Sequence, residues 1–271
     1  VLARGLEVVR KSFYGKHLSI QASLCAGIEA IIRAWGDVNF PSEIEKTKTL
    51  PGCIEALLSY FEEYPLGQDF ISPLLIPTTE QERASGYWKG YDKKPAVEFS
   101  FCWPLPNVKH PETGEPILYG GRFDMLGIFN NTIYVCDEKT TTRLGEAWAK
   151  QWELRSQMTG YCWGAQKFGY PAAGCIVRGI GILVDGAKHL PVIEQRAHWE
   201  VERWVRNTEL KLEMMILAWR EDKWILSLDE ACDAYGGCAF KSICTHEDAQ
   251  PYLAADFTVD HWDPLERKHD D

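Results

Sequence analysis

The stretch GGRFDMLGIFNNTIYVCDEKTTT, residues 120–142, places one aspartate in each of two apolar runs and a lysine two residues after the second. Asp124 and Asp137 are hard oxygen donors. They suit Mg²⁺ or Mn²⁺, with water and a substrate phosphate filling the remaining positions. Such an ion acidifies water and stabilises charge developing on a phosphate. Side chains two apart on a strand share a face, so Lys139 stands beside Asp137. There an ammonium can orient or deprotonate an attacking water, or neutralise a transition state. These are the parts needed to hydrolyse a phosphodiester. Taken alone, however, an Asp-x-Lys triplet is better explained as a salt-bridged hairpin end.

The neighbours of the triplet shift that balance. Glu98 lies in AVEFSF, an acidic residue with apolar residues on both sides. The paired glycines before Asp124 permit close backbone approach. Gln157 and Tyr161 are four apart in a helical segment and so share one helix face.

Read in order, Asp124 after its glycines, DEKT at 137–140 and QMTGY at 157–161 resemble the PD-(D/E)XK nuclease superfamily, within it the RecB-like branch. The resemblance runs from Glu98 to Tyr161. It implies a restriction-endonuclease-like core and a Mg- or Mn-dependent DNA exonuclease of recombination and repair, in phage or CRISPR settings. It assigns Asp124, Asp137, Glu98 and the Glu138 backbone carbonyl to the catalytic metal, Glu98 matching an acidic position on the first core strand. Lys139 would act on the attacking water, while Gln157 and Tyr161 would position the nucleic-acid backbone. Members of this branch commonly add a histidine from an N-terminal helix. His17 is the sole histidine before residue 110, and it does not align with that position.

Nine cysteines are scattered along the chain, except for Cys232, Cys238 and Cys244 near its end. Their odd count and spacing fit reduced thiols and a metal better than a disulfide framework. A tetrahedral zinc or a 4Fe-4S cluster needs a fourth ligand. Candidates are Cys25, Cys53 and, for zinc, His246. Some RecB-like nucleases, including AddB and CRISPR-associated exonucleases, hold an iron–sulfur cluster with three cysteines placed after the core, although their spacing differs.

These residues need elements to carry them. Apolar residues at three-to-four spacing predict helices up to residue 64, stopped at Gly36 and Pro65. Residues 65–94 read as loop. Strands are predicted at 96–103, 118–129 and 132–140, the last two joined by Asn130-Asn131, a hairpin signal. A helix over 145–168, a strand at 173–184, a further strand near 192–201 and a helix over 202–223 follow. The expected fold is α/β, with a central mixed sheet flanked by helices. It divides into an N-terminal helical region (1–94), a nuclease core (95–200) and a C-terminal helix with a Cys-containing cap (201–271), all in one compact domain.

Lys and Arg number 29 against 39 Asp and Glu, a formal net charge of −10. That excludes simple charge-driven coating of DNA and leaves a local basic groove as the route to it. No apolar run has membrane-spanning length, and no signal-peptide pattern is read at the start. The expected place is the cytoplasm of a bacterial or phage-infected cell, with DNA and recombination or CRISPR-adaptation proteins as partners. The chain opens at Val1 within a charged helical pattern, which leaves open a trimmed N-terminus. The alternative reading is a catalytically inactive nuclease-like module that binds nucleic acid or protein.

Overall fold

The structure, a computed structural model, describes residues 1–36, 49–77, 93–224, 230–233 and 237–259. The polar loop TTEQERASG, residues 90–92 of GYDKKP and Gly236 of the cysteine segment lie outside them. The chain divides into two compact units, residues 1–107 with 116–208, and residues 108–115 with 209–271.

The first unit starts with helices α1 (Leu2–Arg10), α2 (Ile20–Gly36) and α3 (Leu50–Glu63), with a π-helical turn at Lys11–Gly15. Helix α2 ends at the predicted Gly36, and Thr49 caps α3 by accepting from Gly52 N at 3.2 Å. Strands β1 (Ser72–Pro73), β2 (Leu75–Pro77), β3 (Lys93–Pro95), β4 (Val97–Lys109), β5 (Pro116–Phe129) and β6 (Thr132–Thr141) follow. Then come α4 (Glu146–Lys150), α5 (Ser156–Lys167), β7 (Gly174–Leu183), β8 (Gly186–Gln195) and α6 (His198–Glu221).

A six-stranded sheet has the order β1-β5-β6-β7-β8, with β4 also on β5, while β2 and β3 pair separately. The β5–β6 pair is an antiparallel hairpin whose turn residues Asn130 and Asn131 have φ of 49° and 59°. That is the conformation the Asn-Asn pair predicts. Strand β7 lies parallel to β6, reached through α4 and α5, and β8 returns antiparallel. The chain is therefore α/β, with a mixed sheet between helices.

On one sheet face, Ile180 and Ile182 of β7 join Leu6, Val9, Ile31, Leu57 and Tyr60 of α1–α3 in one buried cluster. On the other face α4 and α5 settle. Trp148, Trp152 and Trp163 are buried there, as expected of core tryptophans. The helix predicted at 145–168 is broken at 151–155. There the buried Arg196 donates to the Trp152 carbonyl at 2.6 Å and to Thr159 Oγ1 at 3.1 Å. A carbonyl claimed by a guanidinium need not continue the helical ladder. The strand expected at 192–201 is the end of β8, and α6 begins at His198.

The second unit holds the C-terminal part of the chain, with α7 (Glu230–Asp233), α8 (Lys241–Cys244) and α9 (Gln250–Asp256). Among the described residues no helix is long and apolar enough to cross a membrane.

Helices α1 and α2 touch through Gly5 and Gly27. A Cβ at Gly27 would press on Val9 and stand 3.0 Å from the Gly5 carbonyl, whereas one at Gly36 meets nothing. Overpacking a close contact costs about 1–3 kcal/mol. We expect Gly27→Val to lower the unfolding free energy measured in urea by that amount and Gly36→Ala not to lower it. Equal behaviour of the two variants would refute close packing at this crossing.

Candidate metal-dependent active site

The β5–β6 register ends at Met125↔Cys136. The next residues outward are Asp124 and Asp137. Here β5 departs from alternation. Arg122 contacts Glu7 of α1, Phe123 packs on Tyr161 of α5, and Met125 lies with Ile71 and Cys136 back on the first face. Strict period two would put Arg122 and Met125 on opposite faces. The strand slips by one residue, as in a β-bulge, and this re-aims Asp124. Asp124 Oδ2 takes the place of a strand carbonyl, accepting from Glu138 N at 3.0 Å.

Asp137 is 2% exposed, and its Oδ2 lies 2.6 Å from Lys139 Nζ. The two share a face, as period two requires. The contact is charge-assisted, and it draws the Asp137 carboxyl down against the effect of burial. Gln157 donates its amide to the Tyr161 hydroxyl at 3.1 Å. Burial pushes the Tyr161 phenol up, and Asp137, Lys139 and Asp124 all act on it, which places it in the field of the triplet. Gly121 makes this approach possible, since a Cβ there would stand 2.9 Å from the Tyr161 ring. Asp124, Asp137, Lys139, Gln157 and Tyr161 are thus gathered on the α5 side of the sheet.

The sequence did not reveal what lies behind them. Arg10 of α1 is buried, with Nε and a terminal nitrogen on Glu98 Oε1 at 3.0 and 2.6 Å. Its other terminal nitrogen is 2.8 Å from Glu138 Oε2. Tyr60 of α3 donates to Glu138 Oε1 at 2.7 Å and accepts from Arg178 of β7 at 3.2 Å. Arg178 grips both Asp69 oxygens at 2.7 Å and lies 3.9 Å from the centre of the Tyr64 ring. Arg122 reaches Glu98 Oε2 at 3.1 Å and also binds Glu7, which Lys11 holds at 2.7 Å. Glu98, expected as a metal ligand, therefore has an arginine on each oxygen. Its φ is +52°, a left-handed conformation rare for a non-glycine residue. The N-terminal helix presents Arg10 to the carboxylates Glu98 and Glu138, whereas the resemblance implies a histidine from that helix. His17 is exposed in a turn.

Electrostatics differ on the two faces. Burial raises Glu138, but Arg10, Tyr60 and Arg178 outweigh it, so its carboxyl is held below the usual range. Burial, followed by Glu138 and Asp137, pushes Asp124 well above that range. Burial raises Asp137 to about 6 even against the pull of Lys139. Two carboxylates left short of positive charge are the donor set that a divalent oxygen-seeking ion relieves. The residues present fit such an ion, with two protein carboxylates. Among the described residues no group of three or more His, Cys, Asp or Glu is placed to hold a metal.

That statement covers the cysteine segment too. Gly237 adopts φ of +108°, and Cys238 N donates to the Cys232 carbonyl at 2.9 Å, so the backbone does fold back there. Cys238 and Cys244 are exposed, Cys25 is exposed and Cys53 is buried. His246 Nδ1 lies 2.7 Å from the Ser242 carbonyl, and its ring stacks on Tyr252.

No protein-family model and no curated protein matches the chain. Among solved structures, the crystal structure of SSO0001 is similar at 14% identity over 76% of this chain and 73% of that one, with a TM-score of 0.29. A likeness at that score carries no inference about fold or function.

Three expectations follow from the charges. An Asp137 whose pKa rises from 3.8 unfolded to about 6 folded keeps its proton longer when folded. In EDTA, the stability that Asp137 contributes is therefore fully present below about pH 4 and is lost as pH rises through about 6, with Asp124 acting in the same direction at higher pH. Asp124→Asn keeps the acceptor for Glu138 N and removes the repulsion. We expect it to raise metal-free stability at pH 7.5 by about 1 kcal/mol, or about 2–4 °C in Tm. A lower Tm would contradict the repulsion. Arg10→Met, by contrast, leaves Glu98 and Glu138 short of charge in the interior. It should cost about 3–5 kcal/mol in denaturant unfolding, and a loss below 1 kcal/mol would show that Arg10 is dispensable.

Proposed function

We propose that this chain is a Mg- or Mn-dependent deoxyribonuclease of the RecB-like kind on a restriction-endonuclease-like core, acting from DNA ends in recombination or repair. The observation that carries this reading is the pair of buried, charge-deficient carboxylates at the end of the β5–β6 ladder, with the Lys139 ammonium against one of them.

Asp124 and Asp137 would hold the ion, with the Glu138 carbonyl beside them. When bound, the ion would supply positive charge at the phosphate and acidify water. Burial lowers the Lys139 pKa, but Asp137 outweighs it and the net shift is upward, so Lys139 is an ammonium at neutral pH. It therefore donates, orienting the attacking water or meeting charge on the phosphate oxygens, and does not serve as the base. Gln157 donates to the Tyr161 oxygen, which leaves the Tyr161 proton free for a phosphate oxygen. Glu98 would reach the ion only by exchanging Arg10 or Arg122 for it. A zinc or 4Fe-4S site on Cys232, Cys238 and Cys244, and a cytoplasmic setting, belong to the same proposal. Iron and zinc analysis of anaerobically purified protein tests the former.

One observation favours a second reading, a nuclease-like module that binds without cutting. With Glu98 held by arginines, the metal would have two carboxylates from the chain. One assay separates the two. Labelled single- and double-stranded DNA is incubated with Mg²⁺ or Mn²⁺. We expect the wild type to degrade DNA, and Lys139→Ala and Asp124→Asn each to lose at least about 100-fold in rate. Mn²⁺ should raise the Tm of the wild type and not that of Asp124→Asn. Undiminished cleavage by either variant would sink the nuclease reading, and binding without cleavage under both metals would establish the module.

A further inference from the structure

Helix α5 also faces a cavity on its other side. Opposite Gln157 and Tyr161 it borders a cavity of about 570 Å³ closed by the start of α6 and by Pro106 of β4. The floor is apolar, with the buried Trp163 and Val201. The rim carries Gln166 and Lys167 from α5, and His198 and Arg206 from α6. Lys167 Nζ stands 5.4 Å from the centre of the Trp163 ring. The acidic member of the wall, Glu202, is occupied 3.3 Å from His198. Beside the cavity on α6, Trp199 is 56% exposed with the Arg203 guanidinium 4.6 Å from its ring centre.

We propose that this cavity seats a nucleotide of single-stranded nucleic acid, its base against the floor and its flanking phosphates on Lys167 and Arg206. An apolar floor under a rim of separate cations and one side-chain amide matches a flat apolar group bearing anionic oxygens. Lone metal ions and neutral apolar ligands leave one half of it unused. The volume lies in the range of small-ligand sites. Exposed tryptophan with stacked arginine is how sequence-tolerant strand binders extend such a groove. On a chain of net charge −10 this is a local basic surface of the kind strand binding needs. Lys167 lies six residues after Tyr161, about 9 Å along the helix axis. Gln157 and Tyr161 lie on the other side of α5, so a strand that engages both places passes around the helix, about 10–12 Å across. The link to cleavage rests on the nuclease reading, but the binding itself does not.

The test is binding of fluorescein-labelled oligothymidine by anisotropy in EDTA, where nothing is cut, as a function of salt. Lys167 and Arg206 are exposed, so the double variant Lys167→Ala/Arg206→Ala is expected to fold, which its Tm checks. It should bind about tenfold or more weakly. Its slope of log K against log salt should shrink by about 1.4, the loss of two single-strand phosphate contacts. Arg33→Ala/Lys188→Ala, an equal charge loss at exposed positions elsewhere, should leave both quantities unchanged. An abasic oligonucleotide of the same length should bind the wild type more weakly. Affinity and slope unchanged in the Lys167/Arg206 variant, equal affinity for the abasic strand, or no strand binding by the wild type would each overturn the cavity. If the wild type cuts DNA while the double variant binds normally, the cavity falls and the nuclease reading stands. If binding depends on Lys167 and Arg206 in a protein that never cuts, the reverse holds.

Discussion

One buried guanidinium ties the first helix of this protein to its sheet. Arg10 sits between Glu98 of β4 and Glu138 of β6, two carboxylates that do not belong to its own helix. Burying three charges is costly unless their geometry and further hydrogen bonds compensate. Here they do so in part. Tyr60 and Arg178 extend the network from Glu138, and Arg122 and Glu7 extend it from Glu98. Because the pair spans elements far apart in the chain, packing of α1 on the sheet and seating of β4 beside β5 become one event. Apolar contacts alone, such as those of Leu6, Val9 and Leu57, would tolerate small slides. A hydrogen-bonded arginine would not.

The consequence for the candidate site lies in how charge is divided across β6. The side chains at 137, 138 and 139 alternate between faces. Glu138 meets arginines and a tyrosine on the helix side and is settled as a carboxylate. Asp137, on the other face, has Lys139, and Asp124 joins it without a cation of its own. The fold thus satisfies one acid of the run and leaves two others in deficit a single peptide away. The two states are mechanically joined, because the Glu138 backbone N–H is the group that holds Asp124. Whatever fixes the Glu138 side chain also fixes the reach of Asp124 toward Asp137. Arg10 and Tyr60 are therefore part of the site's architecture although they face away from it.

Sequence patterns carried the local half of this arrangement. Asn130-Asn131 set the hairpin, period two set Asp137 beside Lys139, and four-residue spacing set Gln157 by Tyr161. Each relation involves residues a few positions apart, and backbone geometry dictates it. Arg10 with Glu98, Tyr60 with Glu138 and Arg178 with Tyr60 are 88, 78 and 118 residues apart. No periodicity links such pairs, and an arginine in a charged first helix reads as solvated. Arg178 was hidden differently, inside an apolar run whose pattern says only that the strand is buried on both sides. The broken helix at 151–155 has the same origin, since its cause is Arg196, beyond the next two strands. The cysteine segment was legible as a motif, but whether thiols converge is set by tertiary placement that spacing cannot encode.

Two backbone irregularities flank the candidate site, and the network explains why they persist. Glu98 holds a left-handed φ inside β4, and β5 slips between Arg122 and Met125. A left-handed φ at a non-glycine residue costs about 1–3 kcal/mol and survives where the surroundings over-determine it. At Glu98 the surroundings are Arg10 and Arg122. Relaxing its φ would swing the carboxylate off two buried cations. At the slip, Arg122 must face Glu7 and Glu98 while Phe123 packs on Tyr161 and Met125 returns to the core. A regular strand could meet at most two of those demands. The residue left over by the slip is Asp124, turned out of the ladder toward Asp137. The slip therefore does not sit at random in the sheet. It brings a second carboxylate to a place where β-pleating alone would not have put it.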